Sequence, residues 1–230
     1  MIRFARIAKK FIRIVFFSYR KTDGWRRREV DKYLREHEVA KLQIGCGPYP
    51  LEGWLNTDIK TSLRNGSPIY MDAGKPFPIP NASFDYVYSE HLFEHLTYSE
   101  ATNMLKECYR ILRPNGILRI ATPNLQFLVD LYLLPEKELN KKYNELNAER
   151  SGMPSSPVYT INYFHTTWGH KIIYDPMTLS RFLEDVGFKD ICQCEMSKSS
   201  HEALNGVEQH FKSLQYDFNL LETMIIEARR

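Results

Sequence analysis

Gly45, Cys46 and Gly47 close a short apolar run, and two acids, Asp58 and Asp72, follow at the ends of the next two extended segments. Two glycines in a turn let the backbone pass close to a ligand and take up left-handed angles that other residues resist. Carboxylates placed beside such a turn can accept hydrogen bonds from hydroxyl or amino groups. Further along, His91-Leu92-Phe93-Glu94-His95 sets two imidazoles one helical turn apart, a spacing that suits proton transfer or zinc binding. A second cluster, Asn162 to His170, adds His165, Trp168 and His170. An aromatic face with imidazoles and an amide suits a polyhydroxylated ligand, the indole stacking on a sugar ring.

The elements around these residues alternate between strands and helices. AKLQI (40–44), WLNTDI (54–59), PIYMD (68–72), FDYVYS (84–89) and ILRIA (117–121) read as strands, with a turn at Asn65-Gly66 before the third. Helical periodicity runs through about 97–113 on Ala101, Leu105, Cys108, Ile111 and Leu112, and Pro114-Asn115-Gly116 is its expected stop. Residues 25–39 read as a short polar helix and 124–134 as another helix. The stretch 135–168 is polar and reads as irregular, and 175–188 is a capped amphipathic helix stopped by Gly187. KDICQCEM (189–196) and ETMIIEA (222–228) close the chain as strands. Short connections between strands and helices predict an α/β doubly wound, Rossmann-like sheet. In such a sheet the first strand-to-helix turn, here Gly45 to Gly47, is where nucleotide-type ligands bind.

That turn is poorly built for phosphate. A dinucleotide loop wants a third glycine and a helix offering free N–H groups. Pro48 and Pro50 stand there instead and delete two donors. No GK[ST] follows, so a Walker loop is excluded. Asp58 after the second strand can accept both hydroxyls of a ribose. Asp72 after the third can accept from an adenine amino group, with Ala73 offering its backbone N–H. Either acid alone serves equally well as a strand-end turn former. Together with the glycine loop they fit an adenosine that carries no phosphate.

The HxxEH spacing also matches inverted zinc proteases, but it follows directly on a strand at the carboxyl end of the sheet and brings no convincing third ligand. No metal is therefore assigned from the sequence. The preferred reading makes an imidazole a base, since an alcohol is far too weak an acid to ionise near pH 7. His91 is best placed to face an acceptor, and His95 can act with it or orient a neighbour. A purely structural role remains open for each, as it does for His170 and for the weaker candidates His201 and His210.

The chain has 230 residues, 43% of them apolar and 26% charged, an ordinary globular balance. Cys46, Cys108, Cys192 and Cys194 lack zinc-type spacing and fit a reducing, cytoplasmic setting. No apolar run is long enough to cross a bilayer, and no cleavable leader is expected. The net charge of +3 is divided: residues 1–28 carry +9 and the remainder −6. An acidic body argues against a nucleic-acid partner. In residues 2–20, Phe4, Ile7, Ala8, Phe11, Ile14 and Val15 share one helical face, with Arg3, Arg6, Lys10 and Arg13 opposite. Such a helix suits an anionic membrane surface, reached through residues 1–22 at the inner face, or else docks on the protein itself. The expected organisation is a basic helical extension (1–38) followed by one domain (39–230), with 135–174 an insertion that closes over substrate.

KLQIGCGPYPLEGWLNTDI (41–59), FDYVYSEHLFEHL (84–96), ECYRILRPNGILRIATPN (107–124) and WGHKIIYD (168–175) together resemble the class I S-adenosylmethionine-dependent methyltransferases. More narrowly, they resemble the type 11 group found with surface-polysaccharide synthesis enzymes. The resemblance covers about residues 40–230. It implies a seven-stranded sheet whose last two strands are antiparallel, with S-adenosylmethionine as cofactor and S-adenosylhomocysteine as product. Gly45, Cys46 and Gly47 would meet the methionine part, Asp58 with Ile59 the ribose, and Asp72 with Ala73 the adenine. Ser89 and Glu90 would line the methyl-transfer end. The prolines after Gly47 imply that the usual first helix is reduced to a turn. SEHL replaces the [ND]PP[YF] loop of amide and base methylation, which points to a sugar or small-molecule acceptor touched by His165, Trp168 and His170. The expected reaction is methylation of a sugar hydroxyl in a surface glycan or its precursor. Small-molecule O- or N-methylation, and a non-catalytic scaffold for a membrane glycosyltransferase, are the alternatives.

Overall fold

The computed structural model describes residues 18–62, 66–212 and 214–230. Seven strands form one sheet: β1 (Lys41–Ile44), β2 (Leu55–Asp58), β3 (Ile69–Tyr70), β4 (Phe84–Glu90), β5 (Leu112–Pro123), β6 (Lys189–Cys194) and β7 (Thr223–Arg229). Their order is β3-β2-β1-β4-β5-β7-β6, with β7 antiparallel to both of its neighbours. The parallel strands carry apolar side chains to both faces because helices cover both. Leu42, Ile44, Val87, Leu118 and Ile120 are all buried. Strand order reverses between β1 and β4, which opens a crevice at their carboxyl ends. Ile44 pairs with Thr57 and with Ser89, so Gly45, Asp58 and Glu90 leave their strands side by side.

Helix α1 (Asp23–Glu36) is capped by Thr22 and buries Val30 and Tyr33. The Tyr33 hydroxyl donates to the carbonyls of Lys41 and Gly53 at 2.9 and 3.0 Å, fixing α1 at the amino end of β1. Helix α2 (Tyr98–Ile111) begins at a Thr97/Glu100 capping box and buries Ala101, Met104, Leu105, Cys108 and Ile111, the stripe that its periodicity predicts. Its end differs from expectation. β5 already starts at Leu112, and Pro114-Asn115-Gly116 lies within the strand as an irregularity, with Asn115 at φ +66° and a register shift opposite Phe84 to Tyr86.

Two further helices occupy the stretch expected to be irregular. After α3 (Leu125–Leu133) come α4 (Glu138–Ser151) and α5 (Pro157–Thr167). The buried face of α4 is Asn140, Tyr143, Asn144 and Asn147, so its helical stripe is polar and shows no apolar period. Asn140 Nδ2 donates to the carbonyls of Asp130 and Leu134 at 3.1 and 3.0 Å, capping the end of α3. Helix α6 (Pro176–Val186) runs from the Asp175 cap to Gly187 at φ +114°, as predicted, and α7 (Tyr216–Glu222) precedes β7. Between Gly47 and Leu55 the chain makes only turns. Among the described residues no helix is long and apolar enough to cross a membrane. The amphipathic segment 2–20 lies, through residue 17, outside the described residues, as does Asn65 of the turn before β3.

Candidate active site

The glycine loop is held by its own backbone. Gly45 and Cys46 donate to the Thr57 carbonyl at 2.9 and 3.0 Å, and Tyr49 donates to the Cys46 carbonyl at 3.0 Å. Gly47 donates to Asp58 Oδ2 at 2.9 Å, and Lys60 donates to Asp58 Oδ1 at 2.6 Å. With prolines at 48 and 50, these bonds use every amide from Gly45 to Pro50, so none is left to cradle a phosphoryl group. Gly45 sits at φ +69°, and a Cβ there would meet Leu92 Cδ2 at 3.0 Å. Gly47, at φ +52°, has nothing within 4 Å of where a Cβ would stand. Cys46 is buried, and burial, then the nearby Asp58, pushes its thiol up to about 12, so it is no nucleophile at neutral pH.

A cavity of about 380 Å³ opens from this loop. Its floor is Gly45 to Tyr49, its far wall is the turn after β4, and its roof comes from α4, α5 and the segment after α5. Of the residues predicted for the site, Gly45, Cys46, Gly47, Glu90, His91, His95, Trp168 and His170 line it together. Asp58 is buried directly behind Gly47. Ser89 is buried beside the loop and its hydroxyl has no partner. Ile59, Asp72 and Ala73 lie beyond the lining; Ile59 is exposed, and Asp72 accepts from the Gly74 amide at 3.0 Å. His165 does not join the others: it sits with Leu125, Val129 and Tyr132 at a separate apolar depression.

Glu90 serves the architecture of the cavity. Its carboxylate accepts from the amides of Gln209 and His210 at 2.9–3.0 Å and so anchors the segment before α7 against β4. His91 has φ +46°, a conformation that costs a non-glycine residue about 1–3 kcal/mol. Its Nδ1 lies 3.3 Å from Glu94 Oε1, its Nε2 is 3.2 Å from Thr223 Oγ1, and its ring stacks at 3.8 Å on that of His210. Burial pushes the His91 imidazole down, but the adjoining Glu94 carboxylate, with Glu222 and Glu90, outweighs it and lifts the group to about 9. Both nitrogens are thus engaged and the ring holds its proton at neutral pH.

His95 and His170 differ from His91. His95 Nδ1 meets the Gly169 carbonyl at 3.4 Å, which leaves Nε2 free and 3.9 Å from Glu94 Oε1. The two rings meet edge to face at 4.9 Å. Burial lowers His170 to about 4, so it is neutral, and its Nδ1 has no hydrogen-bond partner.

Tyr143, Asn147 and Arg150 of α4, with Gln43, Tyr49, Phe164, Leu214 and Glu222, also line the cavity and were not among the predicted residues. Nothing in the polar sequence of α4 distinguishes the turn that faces the cavity. Burial, then the Glu222 carboxylate to which its hydroxyl donates, raises Tyr143 well above the usual tyrosine value.

Residues 55–120 match the family model described as a methyltransferase domain, over strands β2 to β5 and helix α2. Over that segment the chain is similar to a methyltransferase domain. The sheet, parallel except for β7, which runs antiparallel to both neighbours next to the edge, is the architecture that the class I resemblance implies. A curated relative, a probable S-adenosylmethionine-dependent methyltransferase of Mycolicibacterium smegmatis, is 40% identical over 47 residues, which span 20% of this chain and 18% of the relative. Two solved structures are similar overall. A SAM-dependent methyltransferase from Archaeoglobus fulgidus is 18% identical with TM-score 0.49, over 93% of this chain and 96% of its own. Haemonchus contortus phosphoethanolamine N-methyltransferase 2, in complex with phosphomonomethylethanolamine and S-adenosylhomocysteine, is 17% identical with TM-score 0.43, over 88% of this chain and 52% of its own.

Proposed function

We propose that this domain transfers the methyl group of S-adenosylmethionine to a sugar hydroxyl, in a surface glycan or its lipid-linked precursor. One observation carries the reading: a single cavity joins the glycine loop to the imidazoles and to Trp168. When bound, S-adenosylmethionine supplies a methyl group on a sulfonium sulfur, which leaves as a neutral thioether. Gly45 and Gly47 keep the loop flat enough for the methionine part, and the loop's spent amides favour a ligand without phosphates. Each Asp58 oxygen accepts one backbone N–H and keeps a second lone pair for a ribose hydroxyl. Asp72 and Ala73 extend the same line of strand ends toward the adenine.

The acceptor hydroxyl would lie under the roof formed by residues 135–174. Trp168, 55% exposed at the cavity rim, offers a face for a sugar ring. Aligning the hydroxyl with the methyl carbon contributes most of the acceleration. The acceptor proton passes to an imidazole as the C–O bond forms. His95 Nε2 and His170 Nδ1 have lone pairs to receive it, whereas His91 positions Glu94 and Thr223. The scaffold alternative has no use for a neutral imidazole with an unpartnered nitrogen beside the cavity. As part of the same reading, residues 1–22 bind an anionic membrane at its inner face, where lipid-linked acceptors reside.

Calorimetry with S-adenosylhomocysteine tests the cofactor: micromolar binding is expected, and none at millimolar ligand favours the scaffold. Labelled methyl transfer to a panel of glycans, nucleotide sugars and amines tests the acceptor, and turnover confined to amines overturns the sugar assignment. Equal sedimentation with anionic liposomes, with and without residues 1–22, removes the membrane component.

A further inference from the structure

Glu94 is completely buried, yet only one of its oxygens is hydrogen-bonded. Thr122 Oγ1 donates to Oε2 at 3.1 Å, while Oε1 accepts no hydrogen bond, and Glu94 is one of the residues that line the cavity. His91 Nδ1 faces Oε1 across 3.3 Å as an ion-pair partner. Two more unfilled groups converge on the same point: His95 Nε2 at 3.9 Å from Oε1, and His170, whose buried Nδ1 also lacks a partner.

We propose that Glu94, His95 and His170 bind one divalent ion of the zinc class, with its remaining position open to the cavity. One ligand atom from each residue lies within 4.8 Å of the other two. Bonds of about 2.0–2.1 Å in a tetrahedral site put ligand atoms roughly 3.3 Å apart, so the three must draw in by about 1.5 Å at most. Side-chain rotation supplies that.

The surrounding backbone has the form that metal sites need. Lys171 and Ile172 donate their amides to the Glu94 carbonyl at 2.7 and 3.2 Å, locking the segment that carries His170 onto the turn that carries Glu94 and His95. The Gly169 carbonyl takes His95 Nδ1 and so fixes which nitrogen points inward, as outer partners of ligating histidines do. Two imidazoles and one carboxylate suit zinc or a similar borderline ion better than magnesium or calcium, which prefer oxygen. Three protein ligands with an open position is the arrangement of a site that acts on a bound molecule.

If methyl transfer is the reaction, the open position would take the acceptor oxygen and ease loss of its proton to water, with His95 and His170 then serving as ligands instead of bases. That role rests on the proposed function; ion binding does not. The test therefore reads binding without turnover. Full-length, untagged protein stripped by chelator is titrated with Zn²⁺ against a chromophoric chelator, and Co²⁺ is added separately to read its visible absorption. One equivalent of Zn²⁺ is expected, with a Co²⁺ band typical of four or five ligands. His95→Gln and His170→Gln should each weaken binding at least tenfold while far-UV circular dichroism stays unchanged. Glu94→Gln can disturb folding because the site is buried, so the histidine variants decide. Absence of binding below millimolar Zn²⁺ overturns the proposal. So does stoichiometric binding that survives both histidine variants, or binding lost instead in Cys192→Ser or His210→Gln, which belong to the other clusters of such residues. Tight Zn²⁺ binding without S-adenosylhomocysteine binding would keep this site and reject the proposed function.

Discussion

Gly47 donates its backbone N–H to Asp58 Oδ2 at 2.9 Å, tying the loop after β1 to the end of β2. The acid proposed to grip the cofactor therefore also shapes the loop that the cofactor lies on. Asp58→Ala removes both a charged acceptor and the loop's anchor, each hydrogen bond to a charged group contributing about 1.5–3 kcal/mol. S-adenosylhomocysteine affinity should fall by at least tenfold. Asp58→Asn retains an acceptor for Gly47 and should fall less. Calorimetry on the pair measures this, and equal affinity in all three proteins would detach Asp58 from the cofactor.

Gly45 is constrained twice, by φ +69° and by Leu92. The left-handed angle alone costs an alanine about 1–2 kcal/mol, and the contact with Leu92 Cδ2 at 3.0 Å adds to it. Gly45→Ala should lower stability in urea by about 2 kcal/mol. The steric part is separable, because Leu92→Ala opens the space but leaves the angle. A double-mutant cycle should show coupling between the two positions. Strict additivity would mean that Leu92 moves aside freely.

Most of this framework can be seen in the sequence because it obeys simple periods. The buried parallel strands, the apolar stripe of α2 and the Asp175-to-Gly187 limits of α6 were all expected. The glycine loop and the strand-end acids stood out by residue type. The cavity roof did not. Helix α4 buries asparagines that bond to backbone carbonyls, so its packing leaves no apolar rhythm, and Tyr143, Asn147 and Arg150 could not be placed at the site. The state of His91 was equally hidden, because Glu94, Glu222 and Thr223 reach it from three elements. Its neighbours, and not its own sequence position, decide that it keeps its proton.

Arg119 is another residue that no pattern flags. It sits fully buried on β5 between Glu208 and Glu227, at 2.6 and 2.5 Å. It also donates to the carbonyls of Lys198 and Glu195 at 3.1 and 3.4 Å, holding the segment after β6 against the sheet. Arg119→Met strands two buried carboxylates, and breaking a buried pair in this way costs about 3–5 kcal/mol. A large fall in the urea midpoint is expected. Replacing all three charges with apolar residues of similar volume should recover much of the loss, because desolvation of the charges then disappears as well. If the triple variant is no more stable than Arg119→Met, the ions contribute more than their mutual compensation.

Glu107 makes the acid limb of stability specific to one clamp. Burial pushes its carboxyl up, but hydrogen bonds from Arg110 and from the Phe77 amide, with the Arg110 charge, outweigh burial and hold it below the usual glutamate value. The Phe77 amide reaches Oε2 at 2.6 Å, and Arg110 reaches Oε1 and Oε2 at 2.8 and 2.6 Å. Arg110 also donates to Ile79 O and Asn81 Oδ1, both at 2.7 Å, so α2 grips the whole turn before β4. Because the folded value is depressed, this stabilisation is complete above the unfolded glutamate pKa of about 4.3 and fades as pH falls through the lower folded value. Glu107→Gln should cost about 1–3 kcal/mol at pH 7. The gap between the variant and the parent should narrow as pH falls below about 4, where the unfolded carboxyl takes up its proton before the folded one does. Urea unfolding of both proteins from pH 3 to pH 7 measures it. A gap that stays constant across that range would mean that the clamp works through shape and hydrogen bonding, with the carboxylate charge contributing nothing.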